Sequence, residues 1–396
     1  MDETTIGDRI ADHRKARGLT QVALAQRAAV STSLLRKVEQ GSRDATPVLV
    51  AAIANVLEID VTMLTGQPYD RDGKRPDRIH ALIPPLRRAL AYWDLPPTPE
   101  YAPRSWEALA RDAREVSRLR QAGKHLQVAT LLPRLLQEAT VGLHDAEGTV
   151  RERYFEALTV LLFAAHSVTY KTGYEDLSTV VEDRLAWAAQ QSSDPLMAAL
   201  AAWARTTSML RSGAYDIGLH LLAPHLDGID PAQPDATTVA GALHLRSSIL
   251  AARAGDAAKV EAHLVEARDL SARLGTDSNG GWHQLSFGPG NTGIHDVAAA
   301  VELGDGPTAL QRAEPLRLAG AVPAIRAGHH YMDLSRAFLW QGQYDRSLAS
   351  LNKARELAPQ QTRHHPTTHE VTRMLVRAHR HTNEPLARFS TWIGVV

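Results

Sequence analysis

The chain has 396 residues, with 44 basic and 44 acidic side chains, so it carries no formal net charge and no whole-molecule field to draw in nucleic acid or membrane. A hydrophobic share of 44% against 22% charged fits a globular chain of two or three domains rather than a disordered one. Cysteine is absent, which excludes disulfides, thiolate nucleophiles, iron–sulfur clusters and cysteine-based zinc sites. The opening MDETTIGDRI is acidic and lacks an apolar stretch, and no run approaches the ~20 apolar residues of a membrane span; a cytoplasmic protein is expected.

Residues 1–66 read as five short helices. TQVALAQRA (20–28) places Leu24, Ala25 and Ala28 on one face, and Ala29-Val30 makes a tight turn. Ser31 suits an N-cap, because its hydroxyl accepts from an orphan backbone N–H at the start of the next helix. That helix, TSLLRKVEQ, buries Leu35 and Val38, presents Thr32, Ser33, Arg36 and Lys37 outward, and ends at Gly41. TPVLVAAIANVLEI and VTML supply the last two helices. Two helices joined by a tight turn within such a set define helix-turn-helix architecture.

These residues carry a resemblance. IGDRIADHRKARGLTQVALAQRAAVSTSLLRKVEQG is similar to the phage-repressor-like helix-turn-helix domain of the xenobiotic-response-element (XRE) regulators, over residues 6–66. The resemblance implies a DNA-binding domain. Gln21 would bond a phosphate and brace the recognition helix. Ser31, Thr32, Ser33 and Lys37 would lie at the major groove, with Arg36 reaching a base or a phosphate, and Gln40 and Arg43 would pass the backbone. Arg14 and Glu39 match a pair that forms an internal salt bridge, a structural role. The sequence departs from the pattern at Val22 and Ala23, where acidic residues are usual, so the capping box of the second helix is lost. Leu34 is unusually apolar for a recognition helix; packing is favoured over contact with a thymine methyl. Basic and acidic residues are equal in number here, yet Arg27, Arg36, Lys37 and Arg43 cluster on one segment.

Residues 67–103 are rich in proline and charge and read as a linker around one helix, Ile79 to Trp93. From 104 to 396 the chain is Ala/Leu-rich and helical. A helix–glycine–helix phrase recurs there at Gly123, Gly173, Gly213, Gly255, Gly304 and Gly342. Glycine suits the left-handed position that ends a helix, and recurrence on this scale marks an α-solenoid. The units resemble tetratricopeptide repeats with lengthened helices. The predicted fold is therefore all-α: a five-helix DNA-binding unit followed by helical hairpins.

One stretch tests that reading. SFGPGNTGIH (286–295) holds a literal G-x-G-x-x-G at Gly288, Gly290 and Gly293. A dinucleotide site needs a buried strand before the glycines, a second strand after the helix and an acidic residue about 20 positions on. NGGWHQLSF is no such strand, and the segment after the helix is helical again. A closer likeness is to actinobacterial-type XRE regulators with helical-repeat C-termini, which carry a similar F-G-P-x-N phrase before a helix ending V-E-L-G-D. Two readings stand side by side: an inter-repeat loop with Asn291 capping the next helix, or an effector site. Asn291 and His295 share a helix face, with Trp282 and Phe287 beside them; His244, Arg246, His330 and Trp203 lie on neighbouring helices. His364, His365 and His369 read as a surface cluster rather than a metal site. With no nucleophile, metal or phosphate motif, neither enzymatic activity nor a cofactor is expected. The resemblance implies a transcriptional regulator binding double-stranded operator DNA as a homodimer, modulated by a small-molecule or peptide effector in the repeat groove. The alternative is a repeat scaffold whose helix-turn-helix unit docks proteins.

Overall fold

The computed structural model describes residues 5–59, 61–65, 79–95, 104–278, 281–318, 322–378 and 384–395. Among these the fold is all-helical; the nearest thing to a strand is one isolated antiparallel bridge between Ser278 and Phe287.

The N-terminal unit holds α1 (Ile6–Ala16), α2 (Gln21–Arg27), α3 (Thr32–Glu39), α4 (Pro47–Leu57) and α5 (Val61–Thr65). Each of the first four starts on a side-chain cap from Thr5, Thr20, Ser31 or Thr46. Thr5 makes a full reciprocal capping box with Asp8, whereas Thr20 only accepts from the Ala23 N–H, because Ala23 has no carboxylate to return the bond. Ile10, Leu24, Leu35, Val38, Ile53, Leu57 and Leu64 converge in a small core of their own. Leu34 packs against its edge.

The expected linker helix appears as α6 (Ile83–Ala91), but it is no free-standing island. Ile83, Leu86, Ala89 and Leu90 are buried in the core of the repeats, and α6 packs on the helix His125–Asp145. The rest of 67–103 lies outside the described residues, apart from the flanks 79–82 and 92–95.

Hairpins follow: α7 (Trp106–Gln121) with α8 (His125–Asp145), α9 (Gly148–Lys171) with α10 (Glu175–Gln190), α11 (Pro195–Ser212) with α12 (Tyr215–Gly228), α13 (Pro234–Ala254) with α14 (Ala257–Leu274), α15 (Pro289–Glu302) with α16 (Gly306–Ala313), and α17 (Ala324–Trp340) with α18 (Tyr344–Leu357). Three shorter helices close the array: α19 (Pro359–His364), α20 (Pro366–Ala378) and α21 (Glu384–Ile393). The six recurring glycines sit at the hairpin turns with φ between 69° and 82°, the left-handed conformation that a side chain strains.

The array curls far enough for its first hairpin to meet its last. The Leu126 N–H at the start of α8 donates to Gln360 Oε1 of α19 at 2.9 Å, and Gly123 faces Ile325 and Ala358. The first helix of each hairpin faces inward. The N-terminal unit packs across the concave side: α4 lies on α11 and α13, Arg377 Nη2 reaches Asp8 at 2.7 Å, and the Ile6 N–H donates to Glu370 Oε2 at 3.4 Å.

Candidate nucleic-acid interface and ligand cavity

The outward face of α3 is set by its register. Leu35 and Val38 turn into the core, which leaves Ser31, Ser33, Arg36, Lys37 and Gln40 exposed and Thr32 half-buried. Arg43 follows, exposed, after the turn at Gly41. The Ser31 hydroxyl accepts from the Leu34 N–H at 3.1 Å, so this side chain starts the helix. Arg36 and Lys37 make no ion pair among the described residues, which leaves a positively charged, solvated helix face.

Behind that face stands a buried bracket. Arg14 donates to both Glu39 carboxylate oxygens, at 2.7 and 2.8 Å, and to the Leu19 carbonyl at 2.8 Å. Gln21 Nε2 donates to the same carboxylate at 2.7 Å. One carboxylate thus ties α1, α2 and α3 together, and the amide of Gln21 is spent on the bracing part of its expected role. The Glu39 hydrogen bond and charge push the Arg14 pKa up, against the opposing effect of burial.

The second site is a cavity of about 290 Å³ between the repeats and the N-terminal unit. Its repeat wall comes from inner helices: Arg120 of α7, Tyr170 and Lys171 of α9, Trp203 and Arg211 of α11, Arg246 and Arg253 of α13, His295 and Glu302 of α15, and Arg326, His329 and Asp333 of α17. His365 and Glu370 add a further edge. The N-terminal unit closes it with Ile6, Asp44, Ala45, Val50, Val61 and Thr65.

Ionisable groups in this cavity are far from their ordinary states. Burial pushes His295 and His365 down to about 3, so both rings are neutral. Burial raises Asp333 and Glu370 to about 7 and raises Asp44 as well. Asp44 of the N-terminal unit meets Arg336 of α17 at 3.5 Å, and Arg336 also lies 3.6 Å from Glu302, so the two units share a buried charge network. Burial, with Arg326, Arg120 and Arg246 beside it, brings Lys171 down to about 7.

Several expected effector residues are placed elsewhere. Phe287 is core, its ring filling the space where Gly241 lacks a side chain. Trp282 lies under Arg114, its ring centre 5.1 Å from the guanidinium, and does not line the cavity. His244 pairs with His263 at 3.1 Å, and His330 is buried beside Tyr331, also off the cavity. Asn291 neither caps α15 nor faces the cavity: it is 2% exposed and donates to the Ser286 carbonyl at 2.7 Å. The cap is Asp277, which accepts from the Gly290 and Asn291 N–H groups, each at 3.1 Å. That carboxylate occupies the helix terminus where a dinucleotide would place its pyrophosphate. Gly288 is needed for another reason: its φ is 142°, and a Cβ there would meet Asp277 Cα at 2.5 Å. His295, Arg246 and Trp203 do line the cavity.

Arg120, Lys171, Arg326 and Asp44 were missed by the sequence reading. A faint signal existed. Lys171, Arg211 and Arg253 each stand two residues before a turn glycine and Arg120 three before, so the pattern puts a cation at the inner end of successive helices. A basic last turn is common at any helix C-terminus, which hid it.

Residues 5–65 match the family model described as a helix-turn-helix domain. No curated protein matches the chain. A solved structure described as Bacillus thuringiensis PlcR in complex with the peptide PapR7 and DNA is similar at 12% identity, with a TM-score of 0.28, over 88% of this chain and 100% of that one. The N-terminal unit is thus a helix-turn-helix domain by fold and by family match.

Proposed function

We propose that the protein is a transcriptional regulator that binds double-stranded operator DNA through residues 5–65, as a homodimer, under the control of an effector held in the repeat cavity. The observation that carries the DNA reading is the outer face of α3. Arg36, Lys37, Ser33 and Gln40 stand exposed on one side of a helix whose other side is locked by the Arg14–Glu39–Gln21 bracket. Arginine and lysine donate to guanine edges in the major groove, and serine and glutamine supply further polar contacts. Ser31 and Thr32 sit at the N-terminal end of α3, the end that repressor-type domains bring to the bases, and Arg43 follows beyond its C-terminal end.

The cavity supports the regulatory half. Six of its lining residues belong to the helix-turn-helix domain, so a ligand that fills it changes the surface on which that domain rests. Differential affinity of a few kcal/mol between two domain positions suffices for a switch. His295, Arg246 and Trp203 are the effector contacts retained from the sequence reading.

The test is selection of a binding site from random duplexes with the full chain, followed by footprinting at moderate salt. Sequence-dependent protection that disappears in the Arg36→Ala, Lys37→Ala double variant supports the proposal. Protection unchanged by that double variant, or none with the wild type, sinks it in favour of a protein-docking role.

A further inference from the structure

The cavity holds two kinds of buried charge. Five carboxylates line it, and four of them have a hydrogen-bond or ion-pair partner. Glu175 meets Arg211 at 3.2 Å. Glu302 meets Arg253 at 3.0 Å, Asp44 meets Arg336 at 3.5 Å, and Glu370 accepts from the Ile6 N–H, while Asp333 has only the His329 ring, kept neutral by burial, at 3.8 Å. A group of cations has no such arrangement. Arg120, Lys171, Arg246 and Arg326 line the same cavity, and none is within ion-pair distance of a carboxylate among the described residues.

What these four touch instead is weak compensation. Arg120 gives one hydrogen bond to the Gln284 carbonyl at 2.9 Å and lies over Phe163, while its Nε is buried with no partner. Arg246 lies flat over Trp203, 3.7 Å from the ring centre, and Arg326 approaches the same ring at 5.7 Å. Their charges add to burial in lowering one another's pKa: Arg326 acts on Arg120, Lys171 and Arg246, and Arg120 and Arg246 both act on Lys171. Arg120 is buried and Lys171, Arg246 and Arg326 are half-buried; clustering unpaired cations with reduced access to water is costly, and a residue set that breaks this rule marks a functional site. The four come from α7, α9, α13 and α17, which only the curl of the array brings together.

We propose that Arg120, Lys171, Arg246 and Arg326 bind the phosphate or carboxylate groups of a small organic polyanion, with Trp203 as an apolar wall beside them. This rests on the reading of the cavity as the effector site and specifies the chemistry of the effector. Charge-assisted bonds from two or more guanidinium groups suit tetrahedral or planar anions. The cavity volume of about 290 Å³ lies at the small-molecule end of ligand sites. Because Asp44 and Val50 close the same cavity, the anion sits beneath the helix-turn-helix domain.

The experiment is thermal unfolding of the full-length protein, with tryptophan fluorescence, against pyrophosphate, phenyl phosphate, phthalate and phenol, and sodium chloride at matched ionic strength. Phosphate or carboxylate probes are expected to raise the midpoint by about 3 °C at a hundredfold excess over Kd, while phenol and chloride do not. The tighter arm tells phosphate from carboxylate. Lys171→Met and Arg326→Gln are each expected to weaken binding about tenfold or more without lowering the midpoint of the unliganded protein. The proposal is overturned by any of three results: no anionic probe binding below about 10 mM, wild-type affinity in both variants, or both variants unfolding earlier when unliganded, which marks a structural role. DNA binding is measured on the same samples. Intact DNA binding with no anion effect removes the anion alone; anion binding without DNA binding removes the regulatory reading.

Discussion

The helix-turn-helix domain and the repeat cavity handle buried charge in opposite ways. In the domain, Glu39 is enclosed by Arg14 and Gln21, and the cations that stay unpaired, Arg36 and Lys37, are in water. In the cavity, unpaired cations are the ones turned inward. Buried charge in the first region serves folding, since it locks three helices and so presents one face. In the second it works against folding, a cost that the proposed anion site would account for. The sign of a mutational effect on stability therefore separates the two regions.

The largest effect expected is from Glu39→Ala. It leaves the Arg14 guanidinium buried without its carboxylate and releases Gln21, at a cost of about 3–5 kcal/mol. Chemical denaturation of the isolated helix-turn-helix segment or the full chain checks it; a loss under about 1 kcal/mol would erase the contrast with Lys171→Met. Next in size is the Arg36→Ala, Lys37→Ala double variant, which is expected to lower affinity for the selected duplex about a hundredfold. Its unfolding midpoint should stay at the wild-type value, because both side chains are exposed. Gel-shift titration alongside calorimetry reads both.

A third prediction concerns acid. His125, at the N-terminus of α8, is 1% exposed, neither ring nitrogen has a partner, and burial brings its pKa down to about 3. The folded state rejects a proton that the unfolded state accepts below about pH 6.5, so stability falls as pH drops through that window. Between pH 6.5 and 5 this group contributes a loss of about 2 kcal/mol. His125→Leu should remove that part of the pH slope; an unchanged slope across pH 5–7 would show that the ring is not held neutral. The smallest effect is at α2. Ala23→Glu restores the reciprocal cap opposite Thr20 and is expected to stabilise the domain by about 0.5 kcal/mol, measured as a midpoint shift in denaturant.

Sequence and structure agree most closely where interactions are local. The cap at Ser31, the turn at Ala29, and the six hairpin glycines concern residues within a few positions of one another, so the string displays them directly. The cavity was only partly visible. His295, Arg246 and Trp203 were named from helix faces, but Phe287, His244 and His330 were assigned inward on the same reasoning and belong to the core or to other surfaces. A helical repeat shows which residues share a face; it does not show which face becomes concave, because that depends on small rotations accumulated over successive hairpins.

By itself, then, the sequence determined an all-helical chain, a helix-turn-helix domain with its exposed basic face, and the glycine turns of the hairpins. Those follow from side chains acting on neighbouring backbone and from 3.6-residue periodicity. Only the tertiary structure decided that the α7–α8 turn meets α17 and that α8 meets α19, that the helix-turn-helix domain closes the concave side, and that four cations face one another without carboxylates. Arg120 and Arg326 are 206 positions apart. No local rule links them, and their mutual repulsion exists only because hydrophobic packing of the hairpins elsewhere holds them in place.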